Sequence, residues 1–321
     1  MDTALSSVPT VRYQHAALAL ILLLICLTTT SFIGSVLTQC TFDPVPCYDL
    51  DAQILNDTAL APFRYRVLAP TVMRLVANPD DRGAWFSAGL LVHIAAFATI
   101  YSSLYLRLSA EVGKAKTLIG LCIMALLLMF AFNRYFLTPT SIIEVALLCL
   151  LMVTWHNMWV VLTLVILASF NRETALLLVA VYVVLAGRAG IKRSLALLIL
   201  WAAITAGLHV VLGAAAHVQG FEGTLKINIA HLGHGILINL VMLPVWLLAI
   251  VGYRKNLNPI DQRFLWIALL YMGAVFVGGI LDESARMALP AEVLILPLAL
   301  HGLPSLVSES HFEAADEIKK K

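Results

Sequence analysis

The chain has 321 residues, of which 61% are hydrophobic and only 12% charged, with a net charge of +2 and a mean hydropathy of +0.91. Soluble globular chains carry about 25% charged residues, so this much apolar surface excludes a purely water-soluble fold and points to an all-α, polytopic membrane bundle. The small net charge, with no basic cluster interleaved with aromatics, excludes nucleic acid as a partner. The absence of a Walker loop, paired dinucleotide glycines, a nucleophile elbow or an HExxH pair excludes ATP-driven transport and several hydrolytic chemistries.

The first apolar run, 16 to 37, follows Arg12 and His15 and is long enough to cross a hydrocarbon core of about 30 Å. The following TTTSFIGSVLTQC lacks a small-x-small cleavage site, so the run is expected to be an uncleaved signal anchor. A polar outer loop, 38 to 83, comes next, and its FRYRVLAP segment is expected to continue into an interfacial helix. Further apolar runs cover 84–106, 117–132, 140–153, 158–170, 174–187, 195–216, 233–251, 264–281 and 287–303. With the anchor they make about ten spans. Those between 117 and 187 fall short of the roughly 20 residues a perpendicular span needs, which is the pattern of half-crossing or broken helices beside a cavity. The expected organisation is one transmembrane domain, 1–308, and a charged cytoplasmic tail, 309–321.

Basic residues in short loops mark the cytoplasmic side. Arg107, Lys114 and Lys116, then Arg188, Lys192 and Arg193, then Arg254, Lys255 and Arg263 recur at alternate loops, which puts both termini in the cytoplasm. The other loops carry mixed-sign clusters of a different kind, and the candidate chemistry collects there.

Asp49 and Asp51 lie just after the anchor. Such a pair suits a general base, or a divalent cation (Mg or Mn) held by oxygen ligands; solvated loop charge is the plain alternative. Arg64, Tyr65 and Arg66 follow. Arginine grips phosphate oxygens with two parallel hydrogen bonds, although headgroup anchoring would place the same residues there. Asn133-Arg134-Tyr135 and Asn171-Arg172-Glu173 sit between apolar runs with almost no loop around them, and Glu144 lies one turn into the span after Arg134. Polar groups at such depth line a wet cavity or are paired: Arg172 with Glu173 or across helices, and Glu144 with Arg134. Arg286 stands three and four residues from Glu283 and Asp282, a spacing that allows local ion pairs or leaves Arg286 facing the same cavity as Arg64 and Arg172. His217, His231 and His234 share the last long outer loop with Lys226. No third ligand is patterned for zinc, and Lys226 is a further candidate to reach a phosphate. Cys40 and Cys47 are on the outer side, either bonded or as free thiols, while Cys26, Cys122 and Cys149 are within the apolar runs.

This pattern resembles the GT-C superfamily of membrane glycosyltransferases. Asp49 and Asp51 match the position of its acidic motif in the first outer loop, and YDLDAQ, FRYRVLAP and Asn171-Arg172-Glu173 are similar to small bacterial members. The resemblance implies an enzyme of the bacterial inner membrane that transfers a sugar from a polyprenyl-phosphate donor to an acceptor hydroxyl at the extracytoplasmic face. Asp49 or Asp51 would take the acceptor proton, and Arg64, Arg66, Arg172 or Arg286 would stabilise the departing phosphate, with a divalent cation optional. The chain departs from the family in its length, in lacking a large soluble domain after the last apolar run, and in having Asp-x-Asp in place of adjacent acids; the base therefore stays open between the two. A carrier or flippase for an anionic lipid or solute, and a scaffold subunit of an envelope-assembly complex, are the competing classes. The carrier predicts internal repeats, and the sequence shows none.

Overall fold

The structure is a computed structural model that describes residues 8–42, 50–56, 58–59, 63–131, 139–213, 226, 229–230, 232–233, 240–255, 258–278 and 284–304. Among them are twelve α-helices, and no strand. They are α1 (Val8–Phe42), α2 (Leu50–Leu55), α3 (Leu68–Arg74), α4 (Arg82–Glu111), α5 (Lys114–Ala131), α6 (Thr140–Thr154), α7 (Met158–Asn171), α8 (Leu176–Ala186), α9 (Ile191–Leu212), α10 (Leu243–Lys255), α11 (Pro259–Gly278) and α12 (Ser284–Gly302). Four segments are long and apolar enough to cross a membrane: His15–Thr38, Arg82–Glu111, Lys114–Ala131 and Arg188–Leu212. The chain thus has the helical, apolar character of a membrane protein.

Local signals set the helix limits. The Asp81 carboxylate accepts from the backbone N–H groups of Gly83 and Ala84, both at 3.0 Å, and so caps α4. Asn157 does the same for α7 through Trp159 and Val160. Gly113, at φ 81°, makes the left-handed turn between α4 and α5 that a side chain would disfavour.

Helices α6, α7 and α8 have 15, 14 and 11 residues, or about 22, 21 and 16 Å of axial rise, less than a hydrocarbon core. The bundle shields the first of them: α6 packs against α4, α7, α8 and α12, and its side chains are buried on most sides. Helix α12 is enclosed still more completely, by α5, α6, α10 and α11, with Ala288, Leu289, Ala291 and Val293 to Leu296 essentially inaccessible. It contains Pro290 and Pro297, which cannot donate to the helical ladder and are tolerated where neighbouring helices pack closely. Its contact with α10 is backbone to backbone. A Cβ on Gly252 would lie 1.8 Å from the Leu298 carbonyl oxygen, and one on Gly302 would lie 2.1 Å from that of Leu248. Small residues allow this approach. Trp246 Nε1 then donates to Glu292 at 2.6 Å, tying α10 to the middle of α12. Helix α9 is the opposite case, burying only Ser194 and Leu197.

Long-range bonds sort the bundle into two ends. At one, Arg107 of α4 meets Asp261 of α11 through Nη2 at 3.1 Å, Glu111 through Nε at 3.4 Å and the face of Phe264, while Lys116 reaches the Leu303 carbonyl. The sequence assigns Arg107 to a basic loop, but it is buried within α4 and paired. At the other end of α4 stands Trp85, about 33 Å away at 1.5 Å per residue. The polar residues flagged for function and described in the structure surround that second end, except Lys226, which is exposed in a short described stretch.

Candidate functional site

Three segments distant in sequence meet at the Trp85 end. Leu50 and Ile54, one turn apart on α2, line a pocket together with Phe63, Arg66, Thr140, Ser141 and Arg286. Arg66 follows a 3-10 turn, Phe63–Tyr65, and its guanidinium lies 4.8 Å from the Phe63 ring centroid, which steadies it over an apolar face. Thr140 and Ser141 begin α6, and Arg286 is in the first turn of α12. Both arginines are buried, and the pocket between them has room for about one water molecule.

Next to the pocket, the end of α7 is fastened to the start of α6. The Asn171 amide donates to the Thr140 carbonyl at 2.7 Å. Arg172 Nη1 donates to Ser141 Oγ at 3.2 Å and to Glu144 Oε2 at 2.9 Å, and the Thr174 hydroxyl donates to the other Glu144 oxygen. Ser141 and Glu144 share one face of α6 because they are three residues apart. Arg172 and Glu144 are 5% and 2% exposed. Two charges at that depth are tolerable only as a hydrogen-bonded pair, and removal of one partner costs about 3–5 kcal/mol. Of the alternatives for Arg172, the pairing across helices is the one seen. Glu144 accordingly faces Arg172; Arg134, the partner that the sequence spacing suggests, lies outside the described residues.

The acid of α2 points elsewhere. Asp51, 1% exposed, accepts a hydrogen bond from Trp85 Nε1 at 2.9 Å. It sits beside Leu50 on the helix that lines the pocket, yet its carboxylate faces α4. Tyr65 is also directed away from the arginines: its hydroxyl donates to the Gly213 carbonyl at 3.1 Å, and its ring lies 4.0 Å from that of His209 at the end of α9. Arg64, in the same turn, is half-buried and does not line the pocket. Asp49, Arg134, the Glu173 side chain, Asp282, Glu283, His217, His231, His234, Cys47 and the Cys40 side chain lie outside the described residues, as does the tail 309–321. Cys26, Cys122 and Cys149 are free thiols.

Arg66 and Arg286 are therefore brought together, with Arg172 one hydrogen bond away through Ser141. Trp85, Thr140, Ser141 and Thr174 are the participants that sequence reasoning missed. The spacing of Ser141 and Glu144 is a usable signal, whereas nothing local marks Trp85. Among the described residues no group of three or more His, Cys, Asp or Glu side chains could hold a metal ion. A buried pocket lined by two guanidinium groups and two small hydroxyl-bearing residues is chemically suited to an oxyanion, because it offers directional donors in a low-dielectric setting. Comparison with known proteins finds no matching family model, no similar curated protein and no similar solved structure.

Proposed function

We propose that the chain is an integral membrane glycosyltransferase of GT-C-like character, which transfers a sugar from a polyprenyl-phosphate donor to an acceptor hydroxyl at the extracytoplasmic face of a bacterial inner membrane. The observation that carries this reading is the meeting of Arg66 and Arg286 in one pocket, next to the Arg172–Glu144 pair. In this reading the chain makes about ten spans, with both termini cytoplasmic and the arginine end outward. Helix α3 supports the orientation, because it turns Ala69, Pro70 and Met73 inward and leaves Val72 and the following Leu75 and Val76 exposed beside Arg74, the habit of an interfacial segment.

The reaction breaks the bond between the sugar carbon and the phosphate oxygen and forms one to the acceptor oxygen. Asp49 or Asp51 takes the acceptor proton. Arg66 and Arg286 meet the charge that grows on the phosphate, a role worth on the order of 10²–10³ in rate for each donor of this type. Arg172, engaged with Glu144, orients Ser141 toward the same pocket. Donor entry requires the Phe63–Arg66 turn to yield, because the pocket is narrow.

The test is turnover by purified protein reconstituted with a polyprenyl-phosphate sugar and an acceptor extract. Wild type transfers sugar; Asp49→Asn or Asp51→Asn, whichever removes the base, slows turnover on the order of 10²–10⁴-fold, and Arg286→Ala and Arg172→Ala slow it further or comparably. Turnover that survives all four changes rejects the assignment, and lipid translocation without turnover favours a carrier. Thiol labelling of Leu50→Cys from outside the cell, with Gly190→Cys labelled only after permeabilisation, checks the orientation.

A further inference from the structure

An ionisable side chain deep in a membrane bundle is expensive, and it persists where it is paired or has a task. Glu292 stands near the middle of α12 between Pro290 and Pro297, about 9 Å along the helix from Arg286, and is 0% exposed. One carboxyl oxygen, Oε1, accepts from Trp246 Nε1 at 2.6 Å. The other has no hydrogen-bond partner among the described residues.

No cation answers this acid. Of the helices packed against α12, α5, α10 and α11 carry their basic residues, Lys114, Lys116, Arg254, Lys255 and Arg263, at the end of the bundle where Arg107 meets Asp261. Helix α6 carries Glu144, whose oxygens are taken by Arg172 and Thr174. The tyrosines and cysteines of these four helices are uncharged at neutral pH. On α12 itself, Arg286 lines the pocket and His301 lies nine residues further on. Trp246 is thus the one polar group among the described residues that acts on Glu292. Glu144 and Asp261 are buried as deeply, yet each meets an arginine. A carboxylate buried without such a partner neutralises itself instead, by keeping its proton.

We propose that Glu292 is a proton-binding site in the interior of the bundle, loaded at neutral pH, and that the neutral acid is what allows α10 and α12 to pack closely around it. The Trp246 indole then donates to the carbonyl oxygen of a carboxylic acid. Loss of the proton puts an unpaired charge into the contact between α10 and α12, so the centre of the bundle loosens as pH rises. The inference is independent of what the arginine pocket binds.

Infrared spectroscopy of the full-length protein in lipid nanodiscs tests it, because the carbonyl stretch of a protonated carboxyl is separate from the carboxylate bands. At neutral pH the wild type shows such a band, and Glu292→Gln lacks it. Trp246→Phe keeps the band but moves it to higher frequency, since the carbonyl has lost its hydrogen bond; this second variant leaves the acid in place should Glu292→Gln fail to fold. Denaturant titrations in mixed micelles supply the linkage. The unfolded chain has released this proton at neutral pH and the folded chain holds it, so raising the pH favours unfolding. The unfolding equilibrium of the wild type therefore rises relative to that of Glu292→Gln by about tenfold per pH unit, until the band disappears. A neutral-pH band that neither variant alters, or the absence of one in the wild type, overturns the proposal. So does a wild type whose stability runs parallel to that of Glu292→Gln across the same range.

Discussion

The two ends of the bundle both bury arginine, but they use it differently. At the Arg107 end the guanidinium is committed to Asp261, Glu111 and the face of Phe264, and it joins α4 to α11. At the Arg172 end the corresponding ion pair joins α7 to α6, and two further arginines border a pocket. A buried arginine with an acid beside it is thus no indication of function by itself; the pocket is what separates a fastening from a candidate site.

Replacing the pairs is the strongest way to break this comparison. Arg107→Ala and Arg172→Ala each strand a buried acid and lower stability by about 3–5 kcal/mol in denaturant titrations. Apolar double replacements, Arg107→Met with Asp261→Leu and Arg172→Met with Glu144→Leu, recover most of that loss, because a packed apolar pair is often as stable as an ionic one. The proposed sugar transfer then survives at the first end and is lost at the second. Survival at both ends would remove the Arg172 pair from the site. Next in size is Gly252→Ala, in which the new methyl meets the Leu298 backbone. A loss of about 3 kcal/mol, at the upper end of overpacking costs, is expected as a lowered unfolding midpoint with the pocket chemistry retained per folded molecule. Trp85→Phe gives the smallest effect. It deprives buried Asp51 of its indole donor, costs about 2 kcal/mol, and slows transfer by displacing α2. A variant of unaltered transfer rate would show that the position of α2 is irrelevant to the pocket.

Much of the helix plan could be read from the chain. The apolar runs at 140–153 and 158–170 match α6 and α7 to within a residue, because hydropathy is a property of each segment alone. Of the runs between 117 and 187 expected to fall short of a span, the three from 140 onward are short helices, whereas the first is α5, Lys114–Ala131, which is long and apolar enough to cross a membrane. Pairing was harder to read. Arg172 belongs to Glu144 across 28 positions, and Asp51 to Trp85 across 34; both depend on which helix faces meet, which only packing of the whole bundle decides. The anticipated cavity of Arg64, Arg172 and Arg286 is met only in part: Arg286 shares the pocket with Arg66, Arg172 reaches it through Ser141, and Arg64 does not line it.

Helix α12 has a consequence for how the protein is made. It carries Arg286, Glu292 and two prolines, so bare lipid is a poor solvent for it, and it needs the polar and small-residue surfaces of α5, α6, α10 and α11. Those helices leave the ribosome earlier and must keep an interior groove open until α12 arrives. The arginine pocket lacks one wall until that moment. A nascent chain interrupted before residue 284 therefore lacks Arg286 and one wall of the pocket, which is completed only by the helix that also closes the centre of the bundle.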